Sequence, residues 1–149
     1  MLIRRDRAMT AITIMLDIAF HAAGRDTVSA GDLAERLGLA RRGMEPLLQT
    51  LSRAGLLDSV RGPRGGYRLA RPRREIRLAE IVVAANVDDA QTADGPGGRL
   101  QVAVVDLLWV ELEDAACAAL GTLTLDDLIR RAQTAGLKRP SSEPISFAI

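Results

Sequence analysis

The chain has 149 residues, 48% of them hydrophobic but only 3% aromatic, which is enough for one domain with a core of Leu, Val, Ile and Ala. No apolar run approaches the ~20 residues that span a bilayer, and a single Cys117 with a single His21 excludes an internal disulfide and a zinc site of several Cys and His. The net charge of +1 is unevenly spread: residues 1–77 hold 15 Arg against 8 acids (+7), residues 78–149 hold 5 Lys+Arg against 11 acids (−6), so a nucleic-acid-binding module with something else attached is expected.

In chain order, the N-terminal stretch has the outline of a signal peptide, but Asp17 interrupts its apolar run and no small-residue cleavage site follows. A helix over 8–23, ended by Gly24, is expected instead, in a cytoplasmic protein. Asp17 and His21 lie four apart on one face of it, as a solvated or locally bonded pair.

Ser29-x-x-Asp32 has the form of a capping box, with Asp32 placed to complement the helix dipole. Leu33, Ala34 and Leu37 supply an apolar face, and Gly38 stops the helix. Residues 34–40 (AERLGLA) have the pattern of a helix-turn-helix corner: Ala34 is small where a second helix crosses, Gly38 makes the turn, and Leu39 plugs it. A helix from about Arg41 to Ala54 follows, with Met44, Leu47, Leu48 and Leu51 at helical spacing and Gly55 as its C′ residue. Pro46 moves the expected start of its regular part to near Gly43. Arg41, Arg42, Glu45 and Gln49 are its exposed residues.

Two β-prone runs, 56–61 and 67–71, flank Gly62-Pro63-Arg64-Gly65-Gly66 and read as a hairpin. Directly after a helix-turn-helix, such a hairpin is a wing, with Arg64 at its tip between glycines that let backbone approach a partner closely. Residues 72–77 are a charged connector, Leu78–Asn86 a short helix, and 88–98 (DDAQTADGPGG) an exposed loop. The longest helix runs from Arg99 to about Leu120. Val105, Leu108, Trp109, Leu112 and Ala116 form one apolar stripe; Leu100, Val104 and Leu107 form a second. One stripe covers its own domain and the other needs a partner, most simply a second copy of the chain. Cys117 falls between Asp106 and Glu113 on the helical wheel and reads as an inert structural cysteine. Thr124-Leu-Asp-Asp127 starts a last capped helix, ending near Gly136, and a tail of 137–149 follows.

The run 28–72 closely resembles a family of bacterial winged-helix regulators of the iron–sulfur-cluster-regulator type (IscR/NsrR-like). Its most specific part is Ser59-Val-Arg-Gly-Pro-Arg-Gly-Gly-Tyr-Arg-Leu-Ala70; Met15-Leu-Asp-Ile-Ala19, Leu108-Trp109 and Thr122-Leu-Thr-Leu-Asp-Asp-Leu128 fit as well. The resemblance implies a mainly α fold with a small β-hairpin wing: a winged helix-turn-helix domain (1–77), a helical connector and dimerisation region (78–136) and a C-terminal tail (137–149). It implies a homodimer on a palindromic operator in double-stranded DNA, with helix 41–54 in the major groove and the wing in the minor groove. By position, the DNA-binding residues are Ser29, Arg41, Arg42, Glu45, Gln49, Arg61, Arg64 and Gly65. A carboxylate such as Glu45 can accept from a cytosine amino group, and a narrow minor groove attracts Arg. Leu100, Val104, Leu107, Leu108, Trp109 and Leu112 would form the dimer contact.

The departures are specific. Cluster-binding members carry three cysteines in the loop before the Leu-Trp helix, and here that loop has none. No cofactor and no metal are therefore expected, and the input would be a small-molecule effector, a partner or a redox change. Ala8-Met9-Thr10 stands where the family often has Gly-Arg-Tyr, and Pro46 where well-known members have Gln. The expected function is a repressor-type transcriptional regulator; the alternative is a winged-helix protein–protein adaptor. An enzyme is not expected, because no dinucleotide or P-loop glycine motif and no base for a nucleophile are present.

Overall fold

A computed structural model describes residues 4–22, 26–87 and 97–138. The expected features at Gly24, in the loop 88–96 and in the tail 139–149 lie outside the described residues. The fold is mainly helical with one hairpin. Helix α1 (Arg5–His21) leads into α2 (Ala30–Leu37) and α3 (Arg41–Arg53). Strands β1 (Leu57–Val60) and β2 (Gly66–Leu69) follow, then a 3-10 turn (Arg73–Glu75) and α4 (Leu78–Asn86). A long helix comes next: one π-turn (Gln101–Val105) continues into α5 (Asp106–Gly121). Helix α6 (Leu125–Thr134) ends the described chain.

Helix α1 is the central element. It buries Ala8, Ala11, Ile14, Met15, Ile18 and Ala19, and packs against α2, α4, α6 and β2. Leu33 of α2, the apolar face of α3, Leu56 and Leu57 join the same cluster, as do Leu78, Ile81, Ala85, Leu125 and Ile129. The core thus takes residues from both sides of residue 77. Ile76, inside the charged connector, is also fully buried. Its carbonyl accepts from the Leu125 amide (2.9 Å) while the Leu78 amide donates to Leu123 (3.0 Å), so the connector is tied to the start of α6.

Helix ends follow the local chemistry. Gly38 and Gly55 are left-handed (φ 63° and 72°), and each lets the next amide return to the last turn: Leu39 to Ala34 (3.0 Å) and Leu56 to Leu51 (3.1 Å). The Thr124–Asp127 box is complete: Thr124 Oγ1 accepts from the Asp127 amide (3.2 Å) and Asp127 accepts from the Thr124 amide (2.9 Å).

Several expectations are corrected. Helix α1 starts at Arg5 rather than residue 8. Helix α3 is regular from Arg41, not from Gly43, although Pro46 lies inside it. The proline removes only the bond to the Arg42 carbonyl, which is in the exposed first turn and open to water. Leu39 does not plug the corner. It is 37% exposed, and the buried residues of the two helices are Leu33, Met44, Leu47, Leu48, Thr50 and Leu51. The local Asp17–His21 contact forms, with His21 Nδ1 3.0 Å from the Asp17 carbonyl and 3.4 Å from Oδ2, but Asp17 also gains a closer partner: Arg36 Nη2 donates to Oδ1 (2.6 Å) and Nε to Oδ2 (3.0 Å). The planar guanidinium fork makes the closer, two-point contact with that carboxylate. On the long helix, neither stripe is covered by its own domain. Leu100, Val104, Val105, Leu107, Leu108, Trp109, Leu112 and Ala116 are all exposed, because α4 and α6 already close the core.

Candidate nucleic-acid interface

Three elements meet on one face: the start of α2, the first turns of α3, and the hairpin. Ser29, in extended conformation, caps α2 by accepting the Asp32 amide on Oγ (3.0 Å). The first-turn amides of Ala30 and Gly31 lack helical partners, as at any helix start, and both residues line the groove between the three elements. Bare amides at the positive end of a helix suit a phosphate oxygen. Helix α3 contributes Arg41, Glu45 and Gln49 to the same groove; Ser59, Val60, Gly62, Gly65, Gly66 and Tyr67 line the hairpin side.

Of the eight residues expected at DNA, the groove brings together Ser29, Arg41, Glu45, Gln49 and Gly65. Arg42, Arg61 and Arg64 are exposed but lie outside that lining. Arg41 Nε is 3.4 Å from Glu45 Oε1, with both side chains at least half exposed. A pair so exposed separates at little cost when a better partner arrives.

The hairpin is antiparallel, with Leu57 opposite Leu69 and Val60 opposite Gly66. Asp58 faces Arg68 across the strands at 3.6 Å. The tip is a tight turn in which the Gly65 amide donates to the Gly62 carbonyl (2.9 Å). A Cβ on Gly65 would stand 2.4 Å from the Val60 carbonyl oxygen, and one on Gly66 would stand 2.4 Å from that of Val28. These two glycines therefore serve the close approach of the chain to itself, not only to a partner.

Sequence reasoning missed the strand-like partner of the wing. Val28 donates to the Tyr67 carbonyl (2.9 Å) and accepts from the Tyr67 amide (2.8 Å), a bridge on the outer side of β2. The adjacent β-branched pair Thr27-Val28 before a capping serine was the available signal.

Ion pairs hold this face on the core. Asp17 is nearly buried and Arg36 one-third exposed, and their bond pins α2 to α1; its effect is to raise the Arg36 guanidinium pKa above the usual value. Arg71 at the end of β2 reaches Glu80 on α4 at 2.8 Å. Burial works against the Glu80 charge, but the Arg77 amide and the Arg71 guanidinium outweigh it and hold the carboxyl below its ordinary range.

Comparison with known proteins agrees with this architecture. The profile of the Rrf2 family, described as an iron-dependent transcriptional regulator, matches residues 5–131. A protein of Azotobacter vinelandii called ORF2 is 37% identical over 87% of this chain and 80% of its own length. The HTH-type transcriptional regulator IscR of Xenorhabdus nematophila is 34% identical over 80% of this chain and 74% of its own. Among solved structures, T. potens IscR superposes with a TM-score of 0.69 at 28% identity, covering 93% of this chain and 94% of that one. CymR, the global cysteine regulator of B. subtilis, superposes with a TM-score of 0.64 at 27% identity over 86% of this chain and 96% of that one.

Iron implies ligands, and the residues present do not fit an iron–sulfur cluster. Such clusters are held chiefly by several Cys thiolates. This sequence has one cysteine, partly buried within α5. The described residues also hold no group of three or more His, Cys, Asp or Glu placed to bind a metal.

Proposed function

Because the chain belongs to the Rrf2 family of winged-helix transcriptional regulators, we propose that it is a homodimeric, sequence-specific DNA-binding repressor that works in the cytoplasm without an iron–sulfur cluster. The observation that carries this reading is the shared groove. A capped helix start, the exposed edge of α3 and the wing open onto the same face. That is the geometry of one duplex contact: amides at a phosphate, α3 in the major groove, the wing tip at the minor groove. In this reading Ser29 presents the α2 amides, Arg41, Arg42, Glu45 and Gln49 read or flank bases, and Arg61, Arg64 and Gly65 form the minor-groove arm. The proposed input is a small-molecule effector, a protein partner or a redox change, and the proposed operator is a palindrome matched to the dimer.

The test is fluorescence-anisotropy binding of purified protein to DNA from upstream of its own gene, against a scrambled duplex, with a visible absorbance spectrum of the same sample. Tight binding to the upstream duplex by a colourless protein is expected. Arg64→Ala should weaken binding to all duplexes and flatten the salt dependence by about one unit of log–log slope. Glu45→Gln should instead change the preferred base at one position in each half-site, by about 1–3 kcal/mol. Equal sequence profiles for wild type and Glu45→Gln would remove Glu45 from base reading.

A further inference from the structure

The wing tip is joined to the segment before α2 by a side chain that no DNA-contact reading uses. Thr27 Oγ1 donates to the Arg64 carbonyl at 2.8 Å, across 37 residues of sequence. Arg64 is the third residue of the turn closed by Gly65 and Gly62, so its carbonyl belongs to the peptide unit that enters Gly65. Next to it, Val28 and Tyr67 exchange two backbone bonds, and Gly66 lets the two backbones pass at a separation no Cβ would allow. One residue further on, Ser29 caps α2. Residues 27–29 therefore form a short strap: one end holds the wing tip, the other starts the helix whose amides face the groove.

We propose that Thr27 is a positioning residue, which orients the wing-tip peptide and with it the Arg64 side chain for the minor groove, making the wing and the α2 start one rigid contact unit. The role rests on the DNA-binding reading above. Without the hydroxyl, the 64–65 peptide is held only by the Gly65–Gly62 turn bond, in a turn that ends in two glycines, and its orientation loosens. The arm would then spend entropy on ordering when it meets DNA. Threonine suits the task because its β-branching favours the extended backbone of the strap while its hydroxyl makes the bond.

The experiment compares wild type, Thr27→Val, Thr27→Ser, Arg64→Ala and Thr27→Val/Arg64→Ala. The probe is the duplex that wild-type protein recovers from a random-sequence library, read by anisotropy at fixed salt. Amide hydrogen exchange at Gly65 is followed separately without DNA. Thr27→Val is expected to lose about 2- to 10-fold in affinity, the range of one ordinary hydrogen bond. Thr27→Ser should keep wild-type affinity, and Thr27→Val should cost nothing further once Arg64 is alanine. Gly65 exchange should quicken in Thr27→Val. Unchanged affinity, an equal loss in the Arg64→Ala background, or unchanged Gly65 exchange would each overturn the proposal. If wild type recovers no preferred duplex, the DNA reading itself falls and the positioning role goes with it, even where exchange at Gly65 still reports the latch.

Discussion

At the scale of single residues, the bonds that matter most here join positions far apart in sequence. Asp17 has a nearly buried carboxylate held by two nitrogens of Arg36. Replacing it with Asn keeps the shape and removes the charge. Arg36 would lose charge-assisted bonds that are about twice as strong as neutral ones. Because Arg36 is one-third exposed, water takes over part of the loss. Asp17→Asn is expected to destabilise the fold by about 1–2 kcal/mol in urea unfolding. An unchanged midpoint would mean that the pair is no more than a surface contact.

Among the elements, α6 shows how a local motif secures a distant one. Its Thr124–Asp127 box fixes the helix start, and Leu125 and Ile129 carry it into the core. Bonds from Thr124, first its backbone amide and then its hydroxyl, hold Asp127 below its ordinary carboxylate range; bonds from Arg130, joined by Arg73, do the same for Asp126. Glu80 is lowered too. A group with a lowered folded-state pKa binds fewer protons folded than unfolded. Its stabilisation is complete above the unfolded value and is lost as pH falls through the folded one. Stability should therefore hold from neutral pH down to roughly pH 5 and decline below it. Thr124→Ala should cost about 1 kcal/mol at pH 7. It should also flatten the acid limb, since Asp127 loses the hydroxyl bond while keeping its backbone bond. Thermal melts of both proteins between pH 3 and 7 check this; parallel curves would show that the box contributes nothing to the acid response.

For the whole molecule, the proposed dimer turns on the long helix. It has no buried residue, and Leu100 (79%), Leu107 (60%) and Trp109 (49%) stand in solvent. So large an apolar surface on a domain with a closed core calls for a partner, and a second copy supplies the same surface in reverse. Trp109→Glu leaves the core untouched. It is expected to convert a dimer to a monomer in sedimentation and to lower operator affinity by about 100-fold or more, as two half-sites stop acting together. A variant that still sediments as a dimer would move the interface elsewhere.

What the sequence determined by itself is what depends on near neighbours. The Ser29 and Thr124 caps, the left-handed glycines 38 and 55, the periodic apolar face of α3, α4 over Leu78–Asn86 and the hairpin around residues 62–65 all rest on interactions within a few positions. The residue types alone carry that information. The candidate interface was legible to the same depth, because its cap, exposed helix edge and turn are each local signals. Only the tertiary structure decided which distant groups meet. Arg36 joined His21 at Asp17, Ile76 entered the core from a charged stretch, Leu39 was left outside, and Thr27 reached the wing. It also left both apolar stripes of the long helix bare. These outcomes turn on competition between partners brought together by packing, and a residue's chemistry does not say which of several suitable partners the fold will deliver.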